Sequence, residues 1–242
     1  MSGHSHAKTI MATKTANDAK KGKIFSKFGR LITIAAKSGG DPIMNPKLKV
    51  AIDQAKSFNM PKENIERAIK KGTGELAGES LEEVSYEGFG PGGIAIIITG
   101  ITDNTNRTLG EIKAILNQNG GKMAGEGAVR WMFDRKGVIA IIPKSQLPIP
   151  KNDELEILAI DCGADDVKWF GDQLDIYTKP EDLEAIKRAL EEKQIKIDSA
   201  SLDYVAKEEV ELLEREKESA QRLFEALDEN EAVNDIYSNI KN

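Results

Sequence analysis

Residues 88–121 read GFGPGGIAIIITGITDNTNRTLGEIKAILNQNGG, and the fold is read outward from them. The apolar run Ile94 to Ile98 is five residues long. That is far short of the ~20 a membrane span needs, and it suits a buried strand, taken here as 94–101. A polar stretch, Thr102 to Thr108, then hands over to a helix over about 108–118. Thr108 and Glu111 have capping-box spacing, and Gly120 lies past the helix end. The preceding glycines, Gly88 to Gly93, have the spacing G-x-G-x-x-G. A dinucleotide site needs such a loop to open a helix, so that the helix N-terminus meets the pyrophosphate. Here a strand follows, so the glycines form a tight connection between strands 84–87 and 94–101. No G-x-x-x-x-G-K-[ST] motif is present.

Downstream, strand-like pieces fall at 122–123 and 128–133. Residues 137–205 then give a complete βαββαβ order: strands at 138–142, 167–170, 174–177 and 195–204, helices at about 153–161 and 181–192. That order is the split βαβ, ferredoxin-like motif. A last helix, about 208–227, and a strand, 233–238, remain. They complete the β-α-β-β order begun at Ile94, so strand 233–238 is expected to return to the sheet of 94–101. The fold class is therefore α+β: a helical N-terminal domain plus two ferredoxin-like α/β domains, the third inserted in the second. The expected domains are 1–78, then 79–135 with 206–242, with 136–205 inserted.

Upstream of the Gly-rich link 72–78 the pattern is helical. Ile24, Phe28, Leu31 and Ala35 recur at helical spacing over 20–38, and Lys20, Lys23, Lys27, Arg30 and Lys37 fall on a separate arc. Gly39-Gly40 stops this helix. Asn45-Pro46 reads as a cap followed by proline at the first helical position of the next. That second helix packs Leu48, Ile52 and Ala55 and exposes Lys47, Lys49 and Lys56. A third starts near Pro61, packs Ile65, Ala68 and Ile69, and ends Lys70-Lys71-Gly72. The last two lysines also suit a helix C-terminal dipole.

The 242-residue chain carries a net charge of −6, unevenly spread. Residues 1–74 hold 15 Lys and Arg against 5 Asp and Glu, a net of +10, and the remainder is −16. A basic first third on an acidic remainder points to one arm that seeks a polyanion. The candidate nucleic-acid contacts are Lys14, Lys20, Lys21, Lys23, Lys27, Arg30, Lys37, Lys47, Lys49, Lys56, Lys70 and Lys71. A second candidate, a cleft or anion site, is Asp103, Asn104, Asn106 and Arg107, at a strand-to-helix handover where backbone N–H groups collect. Arg107 offers a planar fork for phosphate. The competing reading is a helix cap made by Asn106 or Thr108, with Arg107 merely exposed.

Other residues carry less. Both histidines lie within the first six residues, so no histidine-based active site is expected. Ser2-Gly3-His4 would form a square-planar copper or nickel site if Met1 were removed, but a free terminus does this by accident. The start of the chain has no continuous apolar core and does not read as a secretory signal. The lone Cys162 excludes a disulfide framework within the chain and reads as a small buried residue in a reducing compartment. Trp131 and Trp169 read as core residues of strands. Lys207 to Arg222 reads as an acidic, solvated helix with Leu212, Leu213 and Leu223 on one packing face.

Several blocks together resemble the YebC family, also called PmpR, nearly end to end. They are Gly3-His4-Ser5; Asp18 with Lys21-Gly22-Lys23-Ile24-Phe25; Gly39-Gly40-Asp41-Pro42; Asn45-Pro46; Asn59-Met60-Pro61-Lys62; Ile65-Glu66-Arg67-Ala68-Ile69; and Tyr86-Glu87-Gly88 into Gly90-Pro91-Gly92-Gly93. Thr102-Asp103-Asn104, Asn106-Arg107-Thr108, Gly120-Gly121 and Tyr237-Ser238-Asn239 complete the set. The resemblance implies three domains, the third inserted in the second, and a cytoplasmic, non-enzymatic, nucleic-acid-binding regulator of gene expression. Members are described as DNA-binding transcriptional regulators, and mitochondrial relatives as translational activators that would meet ribosomal RNA or the ribosome. One departure stands out: His6 and Ala7 replace the family's usual Lys-Trp, and Met11-Ala12-Thr13 stands where basic residues are usual. Fewer phosphate contacts there weaken the grip and flatten its salt dependence.

The expected function is therefore regulation through DNA, with a ribosome-associated translation factor as the alternative. No cofactor, metal or membrane partner is expected, and a monomer is the favoured state. An enzyme would need a pocket built from carboxylates such as Asp103 and Glu126, which no spacing demands.

Overall fold

The structure is a computed structural model and describes residues 18–78, 80–142 and 152–241. It opens with three helices, α1 (Asp18–Ala36), α2 (Pro46–Ser57) and α3 (Lys62–Gly72). Their apolar faces meet in one core: Ile24, Phe28, Ile32 and Ala36 of α1, Leu48, Ala51, Ile52 and Ala55 of α2, and Ile65 and Ala68 of α3. Asn45 makes the α1–α2 corner. Its Oδ1 accepts the Leu48 N–H at 3.1 Å, and its Nδ2 donates to the carbonyls of Ala35 and Gly39, each at 2.8 Å. One buried side chain thus caps α2 and binds two carbonyls at and just past the end of α1.

The rest of the chain builds two antiparallel four-stranded sheets. The first has the order β3-β1-β2-β8, with β1 Glu82–Phe89, β2 Ala95–Thr102, β3 Lys122–Met123 and β8 Val233–Ser238. The second has the order β5-β6-β4-β7, with β4 Phe133–Ile141, β5 Asp166–Phe170, β6 Gln173–Thr178 and β7 Ser199–Ala206. Helix α4 (Thr105–Gln118) joins β2 to β3, and α5 (Asn152–Asp161) and α6 (Leu183–Glu192) belong to the second sheet. Helix α7 (Glu214–Asp228) leads back to β8. Every strand of the second sheet lies in the chain between β3 and β8, and β8 pairs with β2, Ile236 opposite Ile98, as the element order requires.

The second sheet has the ferredoxin-like strand arrangement: the second, third, first and fourth strands of its βαββαβ unit lie side by side. The first sheet reaches the same arrangement by another route. Residues 128–133 were expected to supply its third strand. Instead β1, which precedes β2, occupies that slot between β3 and β2. Residues 130–132 form a 3₁₀ turn, and the chain enters β4 at Phe133. Helix α7 also starts later than the expected 208: residues 207–213 lie outside any helix, and Val210 bridges to Ile240.

Strand β2 explains its own sequence. Ile96 and Ile98 face α4 and α7, against Ile112, Leu116, Leu223 and Phe224. Ala95 and Ile97 face the other way, against Val129, Phe133 and Tyr237. A strand covered on both faces has no need of alternation, hence the unbroken apolar run. Gly100 sits where the β2–β8 register shifts. A Cβ there would come 2.2 Å from the Ala232 carbonyl oxygen. Gly100→Ala is therefore expected to force β8 away and cost at least about 1–3 kcal/mol, read as a lowered midpoint in urea; an unchanged midpoint would show that the close approach is not required.

Candidate nucleic-acid interface

The structure divides the basic residues of the helical segment into two sets. One set points inward. Lys27 is only 3% exposed. Its Nζ donates to Asp228 Oδ1 at 2.8 Å and to the Asp228 carbonyl at 2.7 Å, at the end of α7. Lys23 pairs with Glu229 at 2.5 Å, and this hydrogen bond raises its pKa against a smaller opposing effect of burial. Arg30 donates to the carbonyls of Ile101 and Glu231 and pairs with the Glu231 carboxylate. Lys37 Nζ donates to the Leu81 carbonyl at 2.6 Å. The expectation that Lys27 contacts phosphate is thus corrected, because the ammonium is buried on a carboxylate. Lys23, Arg30 and Lys37 are likewise engaged in fastening the helices to the first sheet.

The other set points outward. Leu48, Ala51, Ile52 and Ala55 turn one face of α2 inward, which leaves Lys47, Lys49 and Lys56 exposed. Lys70 and Lys71 are exposed in the last turn of α3. None of these five has a carboxylate within ion-pair distance among the described residues. Lys21 is exposed on α1, and Lys20 lies in the same helix. Lys14, like the His4 terminus, lies outside the described residues. Ile43 and Met44, 87% and 82% exposed, stand at the corner just before α2.

The candidate anion site resolves into a helix cap. Asn104, not Asn106 or Thr108, is the cap of α4, its Oδ1 accepting the Arg107 N–H at 3.0 Å. The helix begins at Thr105, so the Thr108–Glu111 capping box does not form; the Thr108 hydroxyl is buried 2.8 Å from that of Thr102. Arg107 pairs with Asp103 at 2.6 Å and with Glu111 at 3.8 Å. The Asp103 carboxyl lies below its usual range, held there first by its own backbone N–H and then by Arg107. Asp103, Asn104 and Arg107 are brought together, but the guanidinium is already compensated, and Asn106 stands exposed beside them.

The glycine loop is the expected strand connection. Gly90 and Gly93 close it through backbone bonds, and a Cβ on Gly92 would come 2.4 Å from Leu212, so side chains of the chain itself fill the space over the loop. Residues 5–75 match the family described as TACO1/YebC protein N-terminal domain, and residues 81–240 match TACO1/YebC second and third domain. The chain belongs to the TACO1/YebC family.

Curated relatives match end to end. A probable transcriptional regulatory protein of Thermoanaerobacter pseudethanolicus is 44% identical over 100% of this chain and 97% of its own length. Another so named, from Pelotomaculum thermopropionicum, is 46% identical over 99% of this chain and 98% of its own. The crystal structure of a conserved hypothetical protein from Aquifex aeolicus superposes with a TM-score of 0.85 at 40% identity, covering 95% of this chain and 93% of that one.

One further feature of this TACO1/YebC chain was misread in the sequence. Trp131, expected in the core, is 67% exposed. Trp169 is half-buried, its indole N–H donating to Glu156. The loop carrying Trp131 is pinned by Glu87, whose buried carboxylate accepts the N–H groups of Gly127, Val129 and Arg130 at 2.8, 2.8 and 3.0 Å. Burial alone would raise the Glu87 pKa; those three donors and the Arg130 guanidinium outweigh it and hold the carboxyl below the usual range. Cys162 is half-buried against the second core, and burial pushes its thiol up, away from the reactive thiolate. Among the described residues no group of acidic, histidine or cysteine side chains is placed to hold a metal ion, and no helix is long and apolar enough to cross a membrane.

Proposed function

We propose that this chain is a non-enzymatic regulator of gene expression that binds nucleic acid through the outward lysines of its helical segment. The observation that carries this reading is the set Lys47, Lys49, Lys56, Lys70 and Lys71: exposed, on the outward sides of two packed helices, and without a carboxylate partner among the described residues. Such cations neutralise phosphates and release counterions on binding. The acidic remainder repels the same polyanion and steers it toward the locally basic surfaces. The names of the relatives support transcriptional regulation through DNA. The proposed division of labour assigns binding to residues 1–78. The units 79–135 with 206–242, and the inserted 136–205, then present that face and meet further partners. The protein is proposed to act in the cytoplasm as a monomer.

The test is the triple charge reversal Lys47→Glu, Lys49→Glu, Lys56→Glu, with affinity for sheared genomic DNA and for ribosomal RNA measured by anisotropy over a salt series. The reading predicts a loss of at least about tenfold and a salt slope shallower by roughly 0.7–0.9 for each contact removed. Lys23→Gln, on the side facing Glu229, leaves the affinity unchanged. A triple variant that binds as tightly as the parent overturns the assignment. A loss confined to ribosomal RNA makes the protein a translation factor, and a loss confined to DNA makes it a promoter-binding one.

A further inference from the structure

The geometry points to a second contact, at the 3₁₀ turn that leads from the first sheet into β4 of the second: we propose that Trp131 is a stacking platform for one unpaired base of a single-stranded nucleic acid, with its chain neighbour Arg130 and Arg135 as cations for the flanking phosphates. This rests on the nucleic-acid reading above and narrows it, since a base held in a duplex has no free face to offer.

Four observations carry it. Trp131 is 67% exposed, although Val129 and Phe133 on either side are buried. The chain therefore dips into the core, turns out for one 3₁₀ turn and dips again, presenting the indole at the apex. The turn is also rigid. The indole N–H is fixed on the Ala128 carbonyl at 3.0 Å, and Glu87 holds the backbone on both sides of Ala128. An indole held in this way loses little conformational entropy when a base stacks on it.

The cations are positioned too. Arg135 and Tyr204 are directly paired across β4 and β7, and the Arg135 guanidinium lies over the Tyr204 ring, 4.6 Å from its centroid. Arg130 reaches the same ring at 5.8 Å and is tied to Ser85 and Glu87. Arg130 is thus partly neutralised, whereas Arg135 has no carboxylate partner among the described residues. An exposed indole whose chain neighbour Arg130 shares the Tyr204 ring with Arg135 suits bases and their phosphates, since every base has a π-face. It suits an apolar protein groove poorly, because burying the Arg135 charge there would be costly.

The experiment uses the full chain with Trp169→Phe, so that Trp131 is the sole tryptophan. A mixed-sequence oligoribonucleotide of about 12 nucleotides, near the span of a single-strand binding module, is titrated as a single strand and as a duplex. Binding is followed by anisotropy of a labelled strand, and stacking by Trp131 emission with unlabelled strand. The expected result is strong quenching of Trp131 with the same midpoint as the anisotropy for the single strand, and none for the duplex. Trp131→Ala is expected to weaken single-strand binding roughly 5- to 100-fold, the scale of one lost base stack, while duplex binding is unchanged. Trp131→Phe keeps a ring and recovers part of the loss. Single-strand binding with unaltered Trp131 emission, or unaltered in Trp131→Ala, overturns this proposal and leaves the lysine reading standing. Failure of both RNA forms to bind overturns this proposal, and the lysine reading falls with it only if sheared genomic DNA is not bound either.

Discussion

Lys27→Met is expected to be the most damaging single change on α1, costing roughly 3–5 kcal/mol in urea denaturation. The reason is what it leaves behind. Asp228 is itself buried, and its carboxylate loses the ammonium 2.8 Å away without regaining water. A few ångströms along the same interface, Lys23 and Glu229 form a pair whose side chains are 46% and 50% exposed. Water screens that pair, so Lys23→Met is expected to cost no more than about 1 kcal/mol. The contrast separates burial from charge, since both variants remove one lysine from the same helix face. The double variant Lys27→Met, Asp228→Leu is expected to recover most of the loss, because an apolar pair replaces the buried ion pair without leaving a charge. Faster amide hydrogen exchange in α1 should accompany the single variant, as the helices loosen from the α7–β8 turn. A Lys27→Met protein as stable as the parent would show that the helices are not fastened here.

Glu87→Ala should rank with it, at about 3 kcal/mol or more. Three backbone N–H groups lose their acceptor together, that of Val129 buried and those of Gly127 and Arg130 part-buried, and a buried donor left unsatisfied costs about 1–3 kcal/mol. The loop 124–132 then loses its central anchor, so a shift in Trp131 emission is expected as well. The pH dependence follows from the direction of the shift. The Glu87 carboxyl is more acidic folded than unfolded, so its stabilising contribution is complete above the ordinary glutamate value. It is lost as the pH falls below that value toward the native one. Glu87→Gln removes this titration, and the acid limb of its stability curve is expected to be flatter than the parent's. Curves that stay parallel down through the acid range would contradict the role given to the carboxylate.

Much of this architecture is legible in the residues, and its failures have physical causes. The apolar run of β2 and the Asn45-Pro46 corner can be read locally, because local chemistry decides them. The partners of Lys23, Lys27 and Arg30 lie about 200 residues away, and a helical wheel shows only that the three share an arc. The one signal available was the acidic cluster Asp228, Glu229 and Glu231 at the end of α7, which matches that arc in charge and number. Trp131 was misread because Ala128 to Phe133 has the composition of a strand. Between the buried Val129 and Phe133, the 3₁₀ turn 130–132 keeps Met132 against the same cluster and throws Arg130 and Trp131 out. The strand slot filled by β1 was hidden because spatial order is not chain order. At α4, Asn104, Asn106 and Thr108 all suit a cap, and sequence alone does not choose among them.

The central claim is that nucleic acid is gripped by the outward lysines of α2 and α3 while the basic face of α1 holds the protein together. Ultraviolet crosslinking in living cells, followed by sequencing of the attached nucleic acid and mapping of the attached peptides, tests it most directly. The account predicts recovered nucleic acid crosslinked to peptides within residues 43–78, with the buried side of α1 around Lys27 unmarked. Crosslinks at promoters would make the protein a DNA-binding regulator, and crosslinks in ribosomal RNA a translation factor. Recovery of no nucleic acid above that of the Lys47→Glu, Lys49→Glu, Lys56→Glu variant would contradict the claim.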